Sequence, residues 1–109
     1  MKRYCLALDL INDASLIAEY KAYHAKVWPE IMESIKSSGI QHLAIYSVEN
    51  RLFMIMETSD EFSFESKNKA DLANPKIQEW EKLMWKYQQA LPNSKKGEKW
   101  RLMEQIFEL

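Results

Sequence analysis

Cysteine is almost absent from the chain. The single thiol, Cys5, rules out an internal disulfide framework and suits a reducing compartment, so a cytoplasmic setting is expected. Glycine and proline are also scarce, at two and three residues, and no glycine-rich phosphate loop is present. Histidine occurs twice, at His24 and His42. With one cysteine beside them, a zinc site would have to lean on carboxylates, and no ligand spacing marks one. No apolar run approaches the ~18 residues of a bilayer span, and the N-terminus carries no signal-peptide pattern. An excess of one charge is missing too. The net charge of −1, with signs interspersed, gives no electrostatic case for nucleic acid or an anionic membrane. A nucleophile elbow of the serine-hydrolase kind is absent.

What is present is a globular composition, 47% hydrophobic and 28% charged over 109 residues. That is enough for one core, hence one domain spanning residues 1–109. Residues 2–10 alternate Tyr4, Leu6, Leu8 and Leu10 against Arg3, Cys5, Ala7 and Asp9, a strand pattern. Asn12 and Asp13 supply an N-cap for a long helix from Ala14 to Ser38, which Gly39 ends. Ile40 to Val48 and Arg51 to Thr58 are β-favouring runs joined at Glu49-Asn50, a hairpin signal. Asp60 to Ala73 is weakly amphipathic. Asn74 and Pro75 restart a helix as N-cap and first residue, and Ile77, Trp80, Met84, Tyr87 and Leu91 carry its apolar stripe until Pro92. Residues 92–99 read as a polar loop and Trp100 to Leu109 as a closing strand. The order β-α-β-β-α-β is the ferredoxin-like α+β arrangement, an antiparallel four-stranded sheet with helices on one face. Strands with apolar residues on both faces leave one face to cover, and a homodimer packed sheet to sheet is the economical solution.

The stretch Ile17 to Glu30 concentrates the chemistry. Tyr20, His24 and Trp28 recur every fourth residue, so a helix puts them on one face, beside the apolar stripe Ile17, Val27, Ile31 and Ile35. Pro29 breaks the helix and restarts it, which leaves His24 near the carboxyl end of the first segment, where a helix favours imidazolium. Histidine on a core-facing stripe is by default a hydrogen-bonded structural residue, but Tyr20 one turn away could converge with it on a polyol. Tyr23 lies about 100° around the helix and packs. Four tryptophans, Trp28, Trp80, Trp85 and Trp100, are core residues by default, although indole faces suit the C–H surface of a sugar. His42 is expected at the surface, and Glu57 and Glu104, near strand ends, are candidates to reach a cavity. A pocket of one imidazole with phenols and indoles can shuffle protons on an uncharged polar ligand, or it can simply bind one.

The motif Tyr20-x-x-x-His24-x-x-x-Trp28-Pro29-Glu30, with Gly39, Ala44-Ile45-Tyr46, Glu57, Gln78-x-Trp80 and Met103-Glu104-x-Ile106-Phe107, resembles the L-rhamnose mutarotase family over essentially the whole chain. The resemblance implies a dimeric ferredoxin-like α/β barrel, an isomerase of the racemase and epimerase class that interconverts the α and β anomers of an L-sugar without metal or cofactor. It further implies that His24 is the proton donor, that Tyr20 binds the sugar, and that Trp80 is the first of two adjacent tryptophans lining it. Two positions depart from the family. Leu43 stands where a sugar-contacting tyrosine is common, and Glu81, or Trp85 with a shifted gap, where the second tryptophan stands. Substrate-binding expectations therefore fall on Tyr20, Trp28, Leu43, Trp80 and Glu81. The implied substrate is a 6-deoxy-L-hexose, L-rhamnose with L-fucose as the alternative. A non-catalytic dimeric binding module and a haem- or quinol-using monooxygenase of the same fold are the other readings.

Overall fold

The computed structural model describes all residues, Met1–Leu109. Its first strand, β1 (Lys2–Leu10), sets the direction in which the domain faces. The even-numbered side chains Leu6, Leu8 and Leu10 are buried, Leu8 completely, and full burial of each is worth ~1.5–3 kcal/mol. β1 pairs antiparallel with β3 (Arg51–Thr58), from Lys2 opposite Thr58 to Asp9 opposite Arg51. β3 in turn pairs with β2 (Ile40–Val48), with a bulge between Ile40 and His42. The hairpin turns at Glu49 and Asn50 as expected, and the Asn50 amide donates to the Leu10 carbonyl at 3.1 Å.

Four helices complete the domain: α1 (Ala14–Ala25), α2 (Pro29–Ser37), α3 (Phe64–Leu72) and α4 (Pro75–Trp85). Each start has a local cause. Asp13 caps α1 by accepting from the Leu16 amide, Pro29 opens α2, Ser63 caps α3, and Asn74 with Pro75 opens α4. The expected break falls where the sequence puts it. Trp28 is extended, with φ −57° and ψ 138°, so α1 ends just beyond His24. Gly39 ends α2 with φ +98°, and a Cβ there would lie 2.9 Å from the Ser59 hydroxyl, so both conformation and space favour glycine. Tyr20, Ile31, Ile77, Trp80 and Met84 from the helices meet Leu10 and Leu52 of the sheet in one core. Phe62 with Leu6, Ile40 and Met56 forms a second.

The last third of the chain departs from the sequence reading. α4 stops at Trp85, six residues before the expected Leu91, and Gln88–Gln89 forms β4 against Asp9 and Leu10. The apolar stripe continues through Tyr87 only because that ring remains buried after the chain has left the helix. What decides the matter is the free edge of β1, whose backbone groups need partners. The expected closing strand likewise shrinks to β5 (Arg101–Leu102), paired with Leu6 and Ala7, plus a bond from the Met103 amide to the Cys5 carbonyl at 2.7 Å. Beyond it Ile106, Phe107 and Leu109 are exposed. The sheet order is β2-β3-β1-β4, all antiparallel, with β5 sharing the outer edge of β1. This is the ferredoxin-like order, and the sheet stays open within the chain.

Candidate active site

A cavity of about 510 Å³ lies between the helices and the sheet, opening past α2 and β2. Its floor is apolar, from Ile31, Ile35, Leu43, Ile45, Met54 and Met84. The polar groups at its inner end are few: Tyr20, His24 and Gln88, with Trp80 beside them. Few, convergent polar groups in an apolar hollow are the usual composition of a small-molecule site.

His24 sits in the last turn of α1, and its Nδ1 lies 2.9 Å from the carbonyl oxygen of Tyr20 one turn earlier. A carbonyl can only accept, so Nδ1 holds a proton and donates it, which leaves Nε2 as the nitrogen free to take or give one. The imidazole stacks obliquely on the Tyr20 ring, with centroids 4.4 Å apart, and meets the edge of Trp80 at 5.7 Å. Backbone, phenol and indole together hold the ring in one orientation.

The Tyr20 side chain is 3% exposed. Its hydroxyl accepts a hydrogen bond from Gln88 Nε2 at 3.2 Å. Burial pushes this phenol above its ordinary value, and the Gln88 amide opposes that only in part. Tyr20 therefore keeps its proton, and its O–H is available as a hydrogen-bond donor beside the cavity.

Of the residues singled out from sequence, the cavity gathers Tyr20, His24, Leu43 and Trp80. Trp28 and Glu81 do not line it. Trp28 packs against Trp80 at 5.0 Å, with the Lys76 ammonium over its ring, so it supports the indole wall from behind. Glu81 is approached by the Gln78 amide on α4. Trp85, the shifted-gap alternative, is 39% exposed, with Lys99 over its ring. Tyr23 packs as expected, against Trp80 and Tyr87. His42 is exposed yet borders the cavity mouth beside Lys36 and Gln41. Glu57 faces Arg3 at 3.7 Å, and Glu104 lines a separate groove with Cys5, Phe53 and Ile55. Trp100, core by default from sequence, also lines the cavity, as does Gln88, which nothing in the helical pattern around it distinguishes.

These features define a class: a small α+β domain with a ferredoxin-like sheet and an apolar pocket holding one oriented imidazole, the arrangement of an acid–base site for an uncharged ligand. The sequence profile of L-rhamnose mutarotases matches residues 3–109. The chain belongs to the L-rhamnose mutarotase family. It is 44% identical to an L-fucose mutarotase of Xanthomonas campestris, over the whole of this chain and 89% of the relative. An L-rhamnose mutarotase of Shouchella clausii is 34% identical over 63% of this chain and 61% of its own. Among solved structures, an L-rhamnose mutarotase from Formosa agariphila superposes with a TM-score of 0.73 at 21% identity, covering 100% of this chain and 99% of that one. The tetracenomycin F2 cyclase of Streptomyces glaucescens, a polyketide cyclase, gives 0.61 at 16% identity, covering 100% of this chain and 97% of that one. At such identities these two show a shared fold.

Proposed function

We propose that the protein interconverts the α and β anomers of a 6-deoxy-L-hexose, with His24 moving the protons. The observation that carries this reading is the bond between His24 Nδ1 and the Tyr20 carbonyl, because it leaves Nε2 as the single unengaged nitrogen of a ring that lines the cavity. Charged His24 donates from Nε2 to the ring oxygen O5. The C1–O5 bond breaks as the anomeric O1–H electron pair forms the C1=O1 carbonyl, and the neutral Nε2 takes the O1 proton. Rotation about C1–C2 and the reverse steps close the ring on the other face. Positioned acid–base groups contribute ~10²–10⁴-fold to such a step. No metal or cofactor enters it.

Tyr20 donates to a sugar oxygen, and Trp80 offers an apolar ring edge to the C–H face of the sugar. The 6-methyl group suits the floor of Leu43, Ile45 and Met54, a burial worth ~1 kcal/mol. L-Fucose stands ahead of L-rhamnose as substrate. A relative matched over the full chain at 44% identity is an L-fucose mutarotase, and Leu43 supplies no phenol to the cavity. The working form is a homodimer. Cys5, Ala7, Ala44, Tyr46, Phe53 and Ile55 alternate onto the sheet face away from the helices, where Tyr46 is 62% exposed, and a second copy is the natural cover for that face. No helix is long and apolar enough to cross a membrane, and the unpaired Cys5 agrees with a cytoplasmic setting.

Saturation-transfer NMR on L-fucose, L-rhamnose and D-glucose tests the reading. Exchange between anomers should exceed the buffer rate for at least one 6-deoxy-L-hexose and stay near background for D-glucose. Background rates for both 6-deoxy sugars would sink it.

A further inference from the structure

The end of the cavity holds a polar group that proton transfer to and from the anomeric centre does not use. Gln88 is the first residue of β4, 8% exposed, and its backbone is fixed opposite Leu10 in the sheet. Its Nε2 donates to the Tyr20 hydroxyl at 3.2 Å. Its Oε1 is shielded from water and has no partner in the protein. Reversing the amide would leave Nε2 unpaired instead, so either orientation leaves one amide atom unsatisfied beside the cavity that Gln88 lines. A buried amide atom without a partner costs ~1–3 kcal/mol. A hydroxyl brought in by the ligand would remove that cost.

We infer that Gln88 is a specificity-determining residue, whose Oε1 accepts a hydrogen bond from one sugar hydroxyl while Tyr20, oriented by Gln88 Nε2, donates to a neighbouring sugar oxygen. The inference rests on the sugar reading above and extends it to the choice of epimer. L-Fucose and L-rhamnose differ in configuration at C2 and C4 alone. A Gln88 amide and a Tyr20 hydroxyl bonded to each other beside an otherwise apolar hollow favour one orientation of adjacent sugar oxygens and leave the other unpaired. A site that hydrogen-bonds a substrate hydroxyl rejects analogues that misplace it far more strongly than an apolar wall does. Sequence pattern hides the residue because Gln88 falls within the apparent helical stripe that ends in Leu91.

The test is anomer exchange of L-fucose and L-rhamnose by wild type, Gln88→Met and Gln88→Glu, with KM and kcat separated. Gln88→Met keeps the length but loses both polar atoms. It should raise KM for the better sugar about tenfold, the loss of roughly one hydrogen bond, and bring the two sugars' kcat/KM values toward equality. Gln88→Glu keeps an acceptor but loses the N–H that orients Tyr20, so it should raise KM as well while keeping more of the sugar ratio than Gln88→Met. A merely structural glutamine would lower the melting temperature in both variants and leave KM and the sugar ratio unchanged, which overturns the inference. A second readout covers poor folding of a variant and separates this inference from the function itself. The Gln88 side-chain amide resonances of the wild-type protein should shift when the preferred sugar is titrated in. Wild type that exchanges neither sugar defeats the functional reading, whereas amide resonances that do not move under saturating L-fucose and L-rhamnose defeat the assignment of Gln88.

Discussion

His24 Nδ1 and the carbonyl oxygen of Tyr20 lie 2.9 Å apart, one turn of α1 from each other. Tyr20 lies inside the helix, which runs to Ala25, so helical geometry also brings the His24 amide to this carbonyl, and the imidazole is a second donor to the same oxygen. That bond holds the ring in the tautomer that frees Nε2. Pro29 sets where the helix stops. By forcing Trp28 out of the helical region it ends α1 at Ala25 and leaves His24 in the last turn.

Removing the Tyr20 hydroxyl has two separable effects. Tyr20→Phe deprives the ligand of a donor and leaves both polar ends of the buried Gln88 amide without partners. KM for the sugar should rise about tenfold, and stability measured by urea denaturation should fall by ~1–2 kcal/mol. Unchanged affinity with a large drop in melting temperature would show the phenol to be purely structural.

Alkaline pH should weaken the fold through the same residue. Burial raises the Tyr20 phenol above its ordinary value near 10, and burial together with Glu19 and Tyr23 raises Tyr87. A group whose value is raised on folding holds its proton more tightly in the folded chain. Its contribution is complete below about pH 10, the value in the unfolded chain, and is lost as pH climbs through the folded values. Melting temperature followed from pH 8 to 12 should therefore fall above about pH 10, and less steeply in Tyr20→Phe. A flat profile would contradict this.

The uncovered sheet face gives a third expectation. Tyr46→Glu places a charge on that face, on the edge strand β2. Light scattering should give twice the 13.0 kDa of one chain for wild type and a shift toward the single-chain mass for the variant. A wild-type mass of one chain would remove the dimer from the reading.

Leu8 on β1 supplies the stability control, being 0% exposed. Leu8→Ala should cost ~2–5 kcal/mol by lost burial and a residual cavity. Chemical denaturation measures this, and a loss below 1 kcal/mol would show that the core collapses around the gap.

Most of the fold is legible in the sequence because local chemistry and tertiary demand agree there. Leu6, Leu8 and Leu10 alternate as a strand should, Asp13 and Asn74 cap, and Pro29 and Gly39 punctuate. The reading fails after Trp85, where the two conflict. Helical spacing continues through Tyr87 and Leu91, but the unsatisfied edge of β1 recruits Gln88 and Gln89, a demand that no local pattern announces. The same conflict hides Gln88 as a cavity residue. Trp28 and Glu81 lie outside the cavity for a different reason. Periodicity assigns a face, while the depth of neighbouring rings, here Trp80 in front of Trp28, decides which side chain reaches the space. Tyr20, His24 and Trp80 are legible as cavity-lining residues because motif and periodicity point the same way, and Leu43 through its place in the family pattern.

The decisive experiment compares His24→Ala with wild type in saturation-transfer NMR of L-fucose and L-rhamnose, with circular dichroism confirming that the variant is folded. With Nε2 gone, exchange should fall by at least ~10²-fold toward the buffer rate, while the far-ultraviolet spectrum stays that of wild type. A folded His24→Ala protein that exchanges the anomers as fast as wild type would contradict the assignment of proton transfer to His24.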